Sequence, residues 1–177
     1  MLYEPVMAIH QNPPLQRLVG NKMDLVLVDE YQDTNEIQHL LLRYVAGDRA
    51  RVTVVGDPDQ TIYEFRGARP DFILKRFSEE FESPLEQTLS YTFRYGHQVA
   101  LLANHLICHN TGRKDVLCHS HPTTPATGIT LHQHDNDSDT VLKLLQPMDD
   151  DALGNTAILF RVWSQSVPIE LKLLARQ

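Results

Sequence analysis

LVLVDEYQDTN, residues 25–35, is the stretch that sets the fold class. Leu25, Val26, Leu27 and Val28 form a short apolar run ended abruptly by Asp29 and Glu30. A run too short for a helix and rich in β-branched residues reads as a buried parallel strand reaching its carboxyl end. A helix is expected next: Asn35 can cap it with Gln38 at the third position, Ile37, Leu40, Leu41, Tyr44 and Val45 share one helical face, and Gly47 suits its end. Val52, Thr53, Val54 and Val55 then read as a second buried strand, running into Gly56, Asp57, Pro58, Asp59 and Gln60. Strand, helix, strand at this spacing is a βαβ unit, and its two strand ends, at Asp29 and Asp57, share one edge of the sheet. Open α/β sheets bind ligands at that edge.

Working outward, the pattern predicts a helix near residues 70–79, a short extended piece from Leu85 to Leu89, and an amphipathic helix from Gly96 to Ile107. In that helix Val99, Leu102, Ala103, Leu106 and Ile107 share a face, with Asn110, Thr111 and Gly112 as the stop. Arg113 to Thr127 has the composition of a loop. Beyond it the expectation is a strand (Ile129 to His132), a helix (Ser138 to Gln146), a strand (Thr156 to Phe160) and a last helix from Ser166. The second half thus reads as βαβα. A domain boundary is placed between Glu86 and Ser90, giving segments 1–88 and 89–177.

The chain has 177 residues, 42% apolar and 22% charged, as a globular protein of one ordinary domain or two small ones would. No run approaches the roughly 18 to 20 apolar residues of a membrane span, and Glu4 interrupts any leader pattern. A cytoplasmic protein without membrane contact is expected, with Cys108 and Cys118 reduced. The net charge of -7 argues against a large basic nucleic-acid surface. It is compatible with a motor that grips single strands by stacking and local basic groups.

A strand ending in Asp-Glu suits nucleotide hydrolysis: one carboxylate can hold Mg²⁺ and the next can take a proton from the attacking water. Acidic pairs also cap strands in unrelated folds. Here the second strand brings Asp57, Asp59 and Gln60 to the same edge, where an amide can sense a γ-phosphate. VDEYQDTN (Val28 to Asn35) and VGDPDQTIYEFRGA (Val55 to Ala68) resemble motifs II and III of the UvrD/Rep/PcrA helicases, and LSYTFRYG (Leu89 to Gly96) resembles motif IV more loosely. The helix with Ala103 and Asn104, the segment Asn110 to Arg113, and AILFRVWSQS (Ala157 to Ser166) are similar in style to that family's second motor domain.

The resemblance implies an α/β fold comprising parts of two RecA-like parallel-sheet motor domains, the first without its phosphate-binding half. It implies ATP and Mg²⁺ as cofactors, with Asp29 holding the metal, Glu30 as general base, and Gln32 linking the nucleotide site to DNA. Gln60 would touch the γ-phosphate or the lytic water, Arg94 would reach that phosphate, and Phe93 would stack on adenine. Tyr63 and Phe65 would stack on bases of single-stranded DNA, with Arg66 beside them, at duplex junctions. Several positions depart from the family pattern. Phe65 stands where Trp is usual, Glu64 where a neutral or basic residue is common, and Thr92 and Tyr95 flank the arginine in place of polar neighbours. None of the eight glycines begins a G-x-x-x-x-G-K-[ST] loop. The chain is therefore expected to start inside the first motor domain and stop inside the second, needing the other helicase segments for activity.

Cys108, His109, Cys118, His119 and His121 make a Cys/His-rich tract whose spacing fits no standard zinc finger, so no structural metal is expected. Trp163 reads as a packing residue and Asp149 to Asp151 as a solvated loop. Three functions remain open at this point: part of an ATP-dependent DNA helicase, a helicase-derived adaptor that binds DNA or protein without ATP turnover, and an unrelated phosphohydrolase using Asp29 and Asp57. The last would have no need of Tyr63 and Phe65.

Overall fold

Two helices that the apolar pattern does not single out, α1 (Tyr3–His10) and α2 (Pro13–Val19), come first in the computed structural model, which describes residues 2–175. Asn12 caps α2 by accepting from Leu15 N at 3.3 Å. Strand β1 (Leu25–Val28) pairs in parallel with β2 (Arg51–Val54), in register from Leu25 opposite Arg51 to Val28 opposite Val54. The crossover is α3 (Glu36–Ala46), on which α1 and α2 pack; His10 Nδ1 meets Tyr44 OH at 2.5 Å. The expected capping box is present: Asn35 Oδ1 accepts from Gln38 N at 3.1 Å and Gln38 Oε1 accepts from Asn35 N at 3.0 Å. Gly47 ends α3 with a φ of +55°, a region that penalises a Cβ.

The sheet differs from expectation in its burial. Val26, Val28, Val52 and Val54 pack on a core of Tyr31, Leu42 and Phe72, but Leu27 is 70% exposed and Leu25, Arg51 and Thr53 share its open side. Only one face of the two-stranded ladder is covered. The buried seam of α3 is also rotated from the all-apolar face, because His39, Leu42 and Ala46 point inward while Ile37, Leu40, Leu41, Tyr44 and Val45 are half-buried. The helix expected near 70–79 is wound in π turns over Phe72–Arg76 and continues as α4 (Phe77–Glu80). Phe77 and Phe81 stack at 4.6 Å beneath it, adding to the same core.

Residues 85–89 form no strand. Strand β3 (Tyr91–Thr92) begins just beyond them and pairs in parallel with β4 (His119–Ser120), which interrupts the stretch expected to be loop. Between them lies α5 (His97–Ile107), as predicted, although its buried residue is Ala100, and Leu102 and Leu106 are exposed. Asn104 clamps Cys118 through both amide atoms: Nδ2 donates to Cys118 O at 2.8 Å and Oδ1 accepts from Cys118 N at 2.9 Å.

Residues up to Thr127 form one compact unit and those from Gly128 a second. The second contains α6 (Asp137–Leu145), α7 (Asp150–Gly154) and α8 (Val167–Leu174), and buries Leu142 of α6 and Ile169 of α8. The two strands expected here are absent: residues 129–132 and 156–160 make no ladder, and Leu131 and Leu159 are 92% and 91% exposed. Strand-like patterning yields a strand only where a partner supplies the hydrogen bonds. Asp149 to Asp151 is also not a loop, since Asp149 caps α7 by accepting from Ala152 N at 2.8 Å. Trp163, expected to pack, is 82% exposed.

Candidate functional site

The carboxyl ends of β1 and β2 are tied together residue by residue. Glu30 takes a left-handed backbone, φ 51° and ψ 41°, uncommon for a residue with a side chain. This turns the chain directly from the strand into the 3₁₀ turn Tyr31–Asp33. Tyr31 N then donates to Val55 O at 2.9 Å, and Glu30 N donates to Asp29 Oδ1 at 2.9 Å. Gln32 is buried between the two turns. Its Nε2 donates to Glu30 Oε2 at 2.6 Å and its Oε1 accepts from Asp57 N at 3.0 Å. One amide thus holds the Glu30 carboxylate on one side and the β2 turn on the other.

Gly56 makes that bridge possible. A Cβ there would overlap Gln32 Oε1 and would lie 2.9 Å from Ile73 Cδ1 and 3.0 Å from Tyr31 N. Asp57 next caps the turn Pro58–Gln60: Oδ1 accepts from Asp59 N at 3.0 Å and Oδ2 accepts from Gln60 Nε2 at 2.7 Å. Glu30, Gln32, Asp57 and Gln60 are therefore one hydrogen-bonded string. Asp59, expected beside them at the sheet edge, is engaged elsewhere, accepting from Arg113 Nε at 3.2 Å and Asn110 Nδ2 at 3.1 Å.

Asp29, Glu30, Asp33, Thr34 and Gln38 line a cleft of about 290 Å³. Asp33 Oδ1, in that cleft, is buried without a hydrogen-bond partner. Among the described residues no group of three His, Cys, Asp or Glu is placed to hold a metal. Magnesium needs less than such a cage, since it commonly takes one or two carboxylates and completes its shell with phosphate and water. The oxygen donors at Asp29 fit that kind of site.

Beneath the cleft is a polar network that the sequence does not reveal. Tyr31 OH meets His39 Nδ1 at 2.6 Å, and His39 Nε2 meets Glu80 Oε2 at 2.9 Å. Glu80 also accepts from Arg43 at 3.0 Å and from Arg76 at 2.8 Å, while Arg76 reaches Glu36 at 2.6 Å and lies 4.6 Å from the centre of the Phe72 ring. Burial, with the nearby Glu80 charge, pushes the Tyr31 hydroxyl up to about 12. Burial works against the Glu80 carboxylate, yet hydrogen bonds from His39 and Arg76 outweigh it and hold this group below the usual carboxylate range. The Arg76 hydrogen bond does the same for Glu36.

The expected base platforms sit on exposed backbone. Tyr63 and Phe65 rings are 6.0 Å apart, with the Arg66 guanidinium 5.1 Å from the first and 5.3 Å from the second. Phe65 is 77% exposed. Phe93 and Arg94 follow β3. Arg94 N donates to Thr92 Oγ1 at 3.3 Å, and no hydrogen bond or ion pair joins Arg94 to Asp29, Glu30 or Gln60 among the described residues.

Residues 1–82 match the UvrD/REP helicase N-terminal domain. Through these residues the chain is similar to the UvrD/Rep helicases. It is 40% identical over 106 residues to the ATP-dependent DNA helicase Rep of Escherichia coli (strain K12), covering 60% of this chain and 16% of that protein. It is 38% identical over 156 residues to DNA helicase II of the same organism, 84% of this chain and 21% of the relative. To the ATP-dependent DNA helicase UvrD2 of Mycobacterium bovis (strain ATCC BAA-935 / AF2122/97) it is 32% identical over 173 residues, 94% of this chain and 25% of the relative. The chain thus spans no more than a quarter of the length of these relatives.

Within this UvrD/Rep segment the structure joins Glu30, Gln32 and Gln60, and separately joins Tyr63, Phe65 and Arg66. Sequence reading missed Asp57 as the anchor of Gln60, although Asp followed by Pro is a recognisable turn cap. It also missed Arg113 as the partner of Asp59, which lies 54 residues away and leaves no local signal.

Proposed function

We propose that this chain contributes the Mg²⁺-holding, water-activating and strand-gripping parts of an ATP-dependent DNA helicase motor that translocates on single-stranded DNA and unwinds duplex. The observation that carries the reading is Gln32, whose buried amide binds both the Glu30 carboxylate and the backbone of Asp57. A retired site would gain nothing from a bridge between a general base and a phosphate-sensing turn. Such a bridge suits a motor, in which nucleotide state and DNA grip must change together.

In this reading Asp29 holds Mg²⁺, which when bound neutralises phosphate charge. Glu30 takes a proton from water, oriented for that by Gln32. Gln60, held by Asp57, senses the γ-phosphate, and Arg94 reaches the same phosphate from the second motor segment. Tyr63, Phe65 and Arg66 form the platform for single-stranded DNA, where stacking contributes about 1 to 3 kcal/mol per base and tolerates any sequence. The division into segments 1–88 and 89–177 belongs to the same proposal. So does the expectation that these 177 residues alone turn over no ATP, because they contain no Gly-Lys-Ser or Gly-Lys-Thr loop. Positioning and charge neutralisation at the phosphates supply nearly all of this catalysis.

The test is Glu30→Gln in a motor containing this segment together with a phosphate-binding loop. ATP hydrolysis should be lost while nucleotide binding persists, since the change removes a base and keeps its shape. Turnover within about tenfold of the parent would overturn the general-base assignment, a tenfold change corresponding to about 1.4 kcal/mol in barrier.

A further inference from the structure

Phe93 is 67% exposed, yet one face of its ring is occupied. The His121 imidazole stacks on it with ring centres 4.4 Å apart and planes 28° from parallel. Three sets of contacts hold the imidazole in place. The parallel pairing of β3 with β4 carries on past the strands, with His121 N donating to Thr92 O at 2.9 Å. The ring is oriented by Thr123, whose Oγ1 lies 2.8 Å from His121 Nδ1 and whose N donates to that nitrogen at 3.3 Å. Tyr91 presents a ring edge-on to His121 at 6.0 Å. Behind all of this the Asn104 clamp fixes Cys118, the residue entering β4.

We propose that His121 is a positioning residue for nucleobase binding: stacked on one face of Phe93, it fixes the ring so that the opposite, open face can receive a purine. The proposal rests on the reading of Phe93 as the base-stacking residue and deepens it. An exposed phenylalanine on an irregular segment is otherwise free to rotate about its side-chain torsions, and a base that binds it must order it first. A ring already held on one face has less freedom to lose, so binding is stronger for the same contact. His121 itself touches no ligand here. Its effect passes through the orientation of Phe93.

The experiment uses the full 177-residue chain and adenosine, which carries the base without phosphates and so reports on the platform apart from any phosphate loop. Adenosine is titrated while the aromatic ring protons of Phe93 are followed by NMR. In the parent chain those protons move with adenosine concentration, and Phe93→Ala abolishes saturable binding. His121→Ala should weaken adenosine about two- to tenfold, the range expected from one aromatic pair, and remove the ring-current shift that His121 imposes on Phe93. His121→Phe should restore both, because a stacked ring of similar size replaces the imidazole. Unchanged affinity in His121→Ala, with binding still lost in Phe93→Ala, would overturn the positioning role and leave Phe93 as the platform. Unchanged affinity in Phe93→Ala would overturn the reading of Phe93, and this proposal with it. If His121→Ala fails to fold, His121→Leu fills the space without a π face; affinity equal to that of His121→Phe would overturn the proposal.

Discussion

Residues 25–80 and residues 128–175 contain similar apolar runs, and the two regions use them differently. In the first, Val26, Val28, Val52 and Val54 meet Phe72, Leu42 and Tyr31, and each strand supplies the other's hydrogen bonds. In the second, Ile129 to His132 and Thr156 to Phe160 have strand-like composition but no ladder, and only Ser138, Leu142, Ser166 and Ile169 are buried. Patterning selects which residues can be covered; a partner decides whether they are.

The largest test of that contrast is a pair of aromatic truncations. Phe72 is fully buried, with Arg76 over its ring and His39 at 4.9 Å, so Phe72→Ala should cost about 3 to 5 kcal/mol. Trp163→Ala, at a residue 82% exposed, should change stability by less than about 0.5 kcal/mol. Urea unfolding followed by far-ultraviolet dichroism measures both. Equal losses would mean that Trp163 is packed after all and that the second region has a core of its own.

Gly56 sharpens the comparison at the site. Adding a methyl group there drives into Gln32, Ile73 and Tyr31 N, so Gly56→Ala should cost about 1 to 3 kcal/mol and shift the Gln32 side-chain amide resonances. Nothing lies within 4 Å of a Cβ at Gly128, and Gly128→Ala should stay within about 0.5 kcal/mol of the parent. If Gly56→Ala left the Gln32 amide signals in place, the bridge between Glu30 and Asp57 would not depend on close approach of the two turns.

Local chemistry accounts for what the sequence made legible. The strand ending at Asp29, the Asn35–Gln38 capping box, the crossover helix and α5 are written in neighbouring residues, and all are present. The buried face of α3 was misjudged because His39 is polar. It goes inward to meet Tyr31 and Glu80, the second 41 residues away. Likewise the resemblance singles out Gln32, but its contact with the second turn shows only once β2 brings Asp57 N beside it, 25 residues on. Partners distant in sequence decided the His39–Glu80, Gln32–Asp57 and Asp59–Arg113 contacts, which patterning could not reach.

The Tyr31–His39–Glu80 network gives the first region a pH dependence with a definite sign. Glu80 and Glu36 are held below their ordinary value of 4.5, so the folded state binds fewer protons than the unfolded chain as pH falls through that value. Their stabilisation is complete above about pH 5 and is lost progressively as acid protonates the folded carboxylates. Tyr31 acts at the other end: raised from 10.0 to about 12, it withholds ionisation that the unfolded chain undergoes, so stability declines as pH rises above 10. Unfolding midpoints measured from pH 3 to 11 should fall at both ends. Glu80→Gln should flatten the acid limb relative to the parent, and an unchanged limb would assign the acid sensitivity to other carboxylates.

The smallest effect concerns the uncovered leucines of the second region. Leu131 and Leu159 expose 92% and 91% of their surface and stand in stretches without a ladder, so the folded state gains little from their apolar side chains. Replacing either with Ser removes no buried contact and opens no cavity, and stability should change by less than about 0.5 kcal/mol. Association should respond more than stability does. Apolar side chains on unpaired, strand-prone backbone are where chains meet edge to edge, and a polar residue there weakens that contact without touching the fold. The paired change Leu131→Ser with Leu159→Ser is therefore expected to leave the urea midpoint in place and lower the apparent mass seen by light scattering at high protein concentration. A loss of several kcal/mol would instead show that both leucines are covered in solution, which would erase the difference between the two regions.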